Sequence, residues 1–176
     1  MKFEQTSLAG ACLVYLEPRV DERGMFARTF CAREFAAEGL ETTFVQANVS
    51  TNGRSGTIRG MHFQRAPDAE VKLVRSIKGA IYDVVVDMRE DSATYLRWFG
   101  AELSEGNGLA MYVPKGFAHG YQALTDGAAV FYFVSAFYAP QSEGGLRFDD
   151  PKLAIRWPRA VSEISAKDAT WPLLVP

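Results

Sequence analysis

Residues 57–64 read Thr-Ile-Arg-Gly-Met-His-Phe-Gln, an apolar run broken by Arg59, His62 and Gln64. Further on, Lys72 sits between Val71 and Leu73, Tyr132 between Phe131 and Phe133, and His119 follows Pro114-Lys115-Gly116-Phe117-Ala118. Each has a plain reading on its own. A lone strand lysine or arginine belongs to a solvated face, and a strand tyrosine packs its ring with the hydroxyl at the rim. Together they are the parts needed to abstract a proton beside a carbonyl. Imidazole is a base that titrates near neutrality. A lysine ammonium stabilises an oxygen that becomes an enolate. A tyrosine hydroxyl on the opposite face returns a proton with inversion, and an aspartate distant in sequence can orient the histidine. A binding protein for an anionic ligand would also use Arg59, His119 and Lys72, but it has no need of an acid and a base together.

Strands must position these groups. Segments 11–16, 43–49, 57–64, 71–77, 80–88, 97–103, 109–113, 118–124 and 128–137 are rich in β-branched and aromatic residues. Turn residues such as Glu105-Gly106-Asn107-Gly108 and Asp126-Gly127 separate them. This spacing predicts an all-β antiparallel sandwich or barrel. Segments 71–77 and 80–88, joined by Lys78-Gly79, are expected to pair as a hairpin. Strict alternation along 57–64 puts Ile58, Gly60, His62 and Gln64 on one face and Arg59, Met61 and Phe63 on the other. Helix is predicted at 32–38, ending at Gly39, and as a final turn capped by Ser165. The irregular tail 149–158 carries apolar anchors and is expected to pack on the body.

A polar face inside a barrel is informative only if the chain is an ordinary globular one, and it is. The 176 residues are 48% hydrophobic and 23% charged, which suits one domain over residues 1–176. Nineteen Lys and Arg against 21 Asp and Glu leave a net charge of −2, with no basic field to attract nucleic acid. No apolar run approaches the roughly 18 residues of a membrane span, and the polar start MKFEQTSLAG points to the cytosol. Two cysteines and two histidines provide neither a disulfide framework nor a several-histidine metal site.

Asp21-Glu22-Arg23-Gly24, Phe44-Val45-Gln46-Ala47-Asn48, Arg59-Gly60-Met61-His62-Phe63-Gln64, Lys72-Leu73-Val74-Arg75, Pro114-Lys115-Gly116-Phe117-Ala118-His119-Gly120 and Ser165-Ala166-Lys167-Asp168 follow one another along nearly the whole chain. In types and order they resemble the dTDP-4-dehydrorhamnose 3,5-epimerases. The resemblance implies a cupin-type antiparallel jelly roll with a few short helices. It also implies a nucleoside-diphosphate 4-keto-6-deoxyhexose as substrate, dTDP-linked in the family, epimerised at C3, C5 or both, without metal or cofactor. His62 falls on the base, Asp168 on its carboxylate partner, Tyr132 on the acid and Lys72 beside the sugar O4. Arg59 and His119 match positions near the diphosphate, and Gln46, Asn48 and Tyr138 match the pocket wall. Arg23 and Phe26 match residues that reach the neighbouring subunit's site in a homodimer. A non-catalytic sugar-binding cupin and a 3,4-ketoisomerase are the alternatives on the same fold. Three positions depart from the pattern. Val20 stands directly before Asp21 where the family commonly has Phe-Gly, and Arg28 replaces a common glutamate. Both fall where the family holds thymine, so dTDP sugars are expected to be accepted with weaker discrimination among bases. Phe133 replaces a lysine beside the acid and is expected to bear on which carbon is reprotonated.

Overall fold

The computed structural model describes residues 1–174, and its regular structure is mainly antiparallel strand, with only short helices. In chain order the strands are β1 (Lys2–Gln5), β2 (Cys12–Tyr15), β3 (Arg19–Asp21), β4 (Gly24–Phe26), β5 (Gln46–Asn52), β6 (Ile58–Gln64), β7 (Lys72–Lys78), β8 (Ala80–Asp87), β9 (Trp98–Ser104), β10 (Ala110–Val113), β11 (Phe117–Ala123), β12 (Ala128–Val134) and β13 (Glu143–Gly145). Helix α1 (Ala32–Ala37) precedes β5, and α2 (Ala166–Ala169) closes the described chain. Gly39, at φ +69°, lies just beyond α1 in the left-handed conformation that glycine adopts without penalty. Ser165 Oγ accepts the Asp168 N–H at 3.1 Å, the cap expected of it.

Two sheets face each other. One has the order β1-β2-β10-β7-β12-β5 and the other β13-β6-β11-β8-β9, with β3 and β4 forming a separate hairpin. The expected hairpin between 71–77 and 80–88 does not exist. β7 pairs with β10 and β12, whereas β8 pairs with β11 and β9. Gly79, at φ +66°, turns the chain from one sheet to the other, and an added Cβ there would lie 2.2 Å from Thr125 Oγ1. A two-residue link permits a hairpin. Here the apolar inner faces of both strands are buried more fully by opposing sheets than by pairing side by side.

The core lies between the sheets, with Leu13, Val74, Met111 and Val130 on one side and Ile81, Val85, Leu103 and Phe117 on the other. Each such side chain contributes about 1.5–3 kcal/mol by leaving water. The tail packs down as expected: Leu153 is buried, and its carbonyl accepts the Trp98 indole N–H at 2.9 Å. Apolar filling stops towards β5. There the residues at every second position, Gln46, Asn48, Ser50 and Asn52, are the more buried ones, while Ala47, Val49 and Thr51 are exposed. That is the reverse of a core strand, and it marks where the barrel interior becomes a site.

Candidate active site

Five strands and a helix converge on the polar end. β12 pairs with β5 and β7 so that Tyr132 lies opposite Asn48 and Val74, and Lys72 opposite Val134. β6 pairs with β11, bringing His62 opposite His119. Between His119 and Tyr121 on β11, the partners on β6 run from His62 to Arg59, three steps against two. The extra residue is a β-bulge. It corrects the expectation that Arg59 and His62 occupy opposite faces, because the extra step restores both to one side. The bulge is built on close backbone contact: a Cβ on Gly60 would lie 2.5 Å from Gly120 Cα.

Arg59, His62, Lys72, His119, Tyr132 and Asp168 all line one cavity of about 540 Å3. His62, Lys72 and Tyr132 also line a second of about 350 Å3, together with Gln46, Asn48 and Tyr138. The three residues of the expected proton chemistry thus stand on the wall common to both spaces.

His62 and Asp168 are 106 residues apart in sequence, and Nε2 of the imidazole lies 2.6 Å from Asp168 Oδ1. The other carboxylate oxygen accepts the Gly60 N–H at 3.2 Å. Burial pushes the Asp168 carboxyl up, but the His62 hydrogen bond and charge, with the Gly60 and Ser165 bonds, outweigh it and hold the group below its ordinary value. An ionised carboxylate only accepts, so Nε2 is the ring nitrogen that carries a proton towards Asp168. Nδ1 is then the basic nitrogen, and the described residues offer it no hydrogen bond.

Tyr132, on β12 in the sheet that faces β6, lines the same cavity, and its hydroxyl makes no hydrogen bond among the described residues. Burial, then the neighbouring Tyr121 and Glu70, push its phenol above the ordinary value against the opposing pull of Arg59. It is therefore a neutral O–H donor at pH 7. Lys72 Nζ lies 3.1 Å from Glu70 Oε1, both side chains 12% exposed. His119 Nε2 lies 2.7 Å from Asp83 Oδ1, a second His–Asp pair, in which Asp83 Oδ2 is buried without a partner. Arg59 is held by Asn52 Oδ1 at 3.0 Å and the Thr51 carbonyl at 3.1 Å, which aims its guanidinium along the cavity rim.

A family model for dTDP-4-dehydrorhamnose 3,5-epimerase matches residues 5–175. The chain belongs to that family. The dTDP-4-dehydrorhamnose 3,5-epimerase of Methanothermobacter thermautotrophicus is 44% identical over 173 residues, covering 97% of this chain and 92% of the relative. A crystal structure of the Bacillus anthracis dTDP-4-dehydrorhamnose 3,5-epimerase, with TDP and PPi bound, is similar at a TM-score of 0.95 and 40% identity, covering 98% of this chain and 99% of that one. The Legionella pneumophila dTDP-6-deoxy-D-glucose-3,5-epimerase, in complex with dTDP-4-keto-L-rhamnose, is similar at 0.92 and 35%, covering 98% and 92%. The expected cupin-type, mainly β architecture is the one this family member has.

Not every position of the family pattern meets in this epimerase within one chain. Arg23 and Phe26 lie on the β3–β4 hairpin, in a concavity of their own lined also by Arg19, Asp21 and Met25. It shares no residue with the cavity around His62. Arg28 donates to Glu34 at 2.9 Å and lines a cleft with Phe26, Glu17 and Glu34. Phe133 lines neither cavity. Alternation along β12 turns it to the outer face, where it packs with Phe30 and Phe44, so the expectation that it touches the reaction is withdrawn. Gln64 is structural as well: its amide binds the Asp68 and Phe137 carbonyls and the Ala139 N–H.

Sequence reasoning missed Ser50, Asn52, Tyr121, Glu70, Glu143 and Lys167. Tyr121 Oη lies 2.6 Å from Ser50 Oγ, and Lys167 donates to Glu143 at 2.5 Å. The period-2 polar row from Gln46 to Asn52 was a usable signal for two of them. Glu143 had none, since only the fold brings β13 beside β6.

Proposed function

We propose that the chain, acting as one domain, inverts C3 and C5 of a dTDP-linked 4-keto-6-deoxyhexose in deoxysugar biosynthesis, with His62 as the base and Tyr132 as the acid. The observation that carries this is that a His62–Asp168 pair and an unbonded Tyr132 hydroxyl, carried on strands of the two facing sheets, line one cavity together with Lys72. The C–H bond α to the ketone breaks, its proton goes to His62 Nδ1 and its electron pair to O4. Lys72 stabilises the enolate oxygen, and Arg59 and His119 hold the diphosphate. Tyr132 then gives its proton to the carbon from the other face. The cycle leaves His62 protonated and Tyr132 ionised, and solvent restores both. The raised phenol makes the tyrosinate a strong enough base to be reprotonated at neutral pH. A base of this kind contributes about 10²–10⁴-fold.

The same proposal includes a homodimer in which Arg23 and Phe26 complete the partner's nucleotide site, with Gln46, Asn48 and Tyr138 forming the sugar wall. It is supported by the hairpin's exposure: Val20, Met25 and Phe26 are 75%, 61% and 73% exposed, too much apolar surface for a hairpin that faces water alone. Free thiols at Cys12 and Cys31 suit a cytosolic setting.

The test is incubation with dTDP-, CDP- and GDP-linked 4-keto-6-deoxyglucose in deuterium oxide, followed by NMR. Deuterium at C3 and C5 with inversion, fastest for the dTDP sugar, is expected. A product whose ketone has moved to C3 identifies a ketoisomerase, and full exchange by His62→Ala removes the assigned base. A monomeric mass by light scattering at full activity contradicts the shared site.

A further inference from the structure

Glu70 has no part in the proton transfers, yet it stands inside the site. It lies two residues before Lys72, immediately ahead of β7. Its carboxylate is 3.1 Å from the ammonium with both groups 12% exposed, and among the described residues it is the only ion-pair partner Lys72 has. The smaller cavity includes Glu70, Lys72 and Tyr132 together.

Taking two charges this far from water costs more than a surface pair returns. The arrangement therefore weakens the fold at this point unless it does something else. Lysine carries a compact charge on a flexible four-carbon stem, and its three N–H donors have no preset direction. A carboxylate on one side of the ammonium engages one donor and leaves two directed into the cavity. Resting on the epimerase reading above, we propose that Glu70 is a positioning residue for the reaction, acting through Lys72 to hold the ammonium where the enolate oxygen forms.

A second consequence falls on Tyr132. The titratable groups that share its two cavities are Tyr121 and His119 on β11, Arg59 and His62 on β6, Lys72 on β7, Glu70 in the approach to β7, Glu143 on β13, Tyr138, and Glu163, Lys167 and Asp168 in the tail and α2. Of these, Tyr121 and then Glu70 disfavour the phenolate and Arg59 favours it. Removing the anion lets the phenol ionise at lower pH.

Glu70→Gln keeps the shape and removes the charge. With the dTDP-4-keto sugar, kcat is expected to fall about tenfold, part of the 10²–10³ lost when such a donor is removed outright. KM should stay within about twofold, and the alkaline limb of the kcat profile should move to lower pH. In a Lys72→Met background the same change should cost nothing more in kcat on the pH plateau, because there Glu70 acts only through Lys72. If Glu70→Gln does not fold, Glu70→Ser is read by the same criteria. Unchanged kcat and alkaline limb in a folded variant overturn the proposal, as does a fully additive loss in the double variant. Wild-type protein that exchanges no proton with any 4-keto sugar overturns the epimerase reading and this inference with it. Normal wild-type turnover with an indifferent Glu70 overturns the inference alone.

Discussion

Replacing Tyr132 by Phe separates the two halves of the proposed chemistry. The hydroxyl makes no hydrogen bond among the described residues, so its removal orphans no partner. The ring stays where it packs, against the core at the Val74 and Val130 end. Stability should change by no more than about 0.5 kcal/mol, the range of substitutions that leave no cavity and no unpaired group. For a domain of this size that is a shift of at most about 2 °C in Tm. Turnover should respond quite differently. Loss of a positioned acid costs about 10²–10⁴-fold, or roughly 2.7–5.4 kcal/mol of barrier. His62 and Asp168 are untouched, so proton removal continues and the carbanion is requenched from the side on which His62 sits. Proton NMR in deuterium oxide reads both rates at once, exchange from loss of the C3 and C5 signals and inversion from the product's couplings. Exchange should persist with retained configuration while inversion falls by at least a hundredfold. Equal losses of exchange and inversion, or inversion at the wild-type rate, would refute the assignment of Tyr132.

Three further outcomes are expected. Asp168→Asn removes a carboxylate held below its ordinary value, whose contribution to stability is full above the unfolded pKa and lost as pH falls through the folded one. Denaturant unfolding should therefore show a deficit against wild type at pH 7 that narrows as the pH drops below the ordinary carboxylate range. Gly60→Ala meets the Gly120 backbone at 2.5 Å with φ at +119°, so thermal melting should show a loss of at least about 2 kcal/mol or no soluble protein. Arg28→Glu breaks the bond to Glu34 and sets like charges beside Phe26, and competition with free nucleotides should show an increased preference for dTDP over CDP and GDP. Unchanged relative affinities would show that Arg28 does not face the base.

Much of the candidate site was legible because each residue type proposed for catalysis is anomalous in its local sequence. His62, Lys72 and Tyr132 interrupt apolar strands, and period-2 alternation is enough to suspect an inward face. The family pattern added Asp168, 106 residues from the histidine it holds, which no local rule reaches. Local rules failed where the third dimension intervened. Alternation placed Arg59 opposite His62 because a strand read alone has no partner to reveal a bulge. Phe133 looked adjacent to the reaction because it is next to Tyr132 in sequence, whereas in a strand the next residue is the one on the other face.

Residue type and spacing determined the chemistry available to this protein, a base, an acid and a cation on strands, and the turn residues determined that those strands are short and antiparallel. Which strands are neighbours was decided only in the folded chain. A Lys-Gly link between two apolar strands is compatible with a hairpin, and burial of both inner faces between two sheets overrode it. The same choice put β6 beside β11 and β12 between β5 and β7. Glu70 and Lys72 acquired their meaning there, since two oppositely charged residues near each other in sequence are unremarkable in water and consequential once a barrel closes around them.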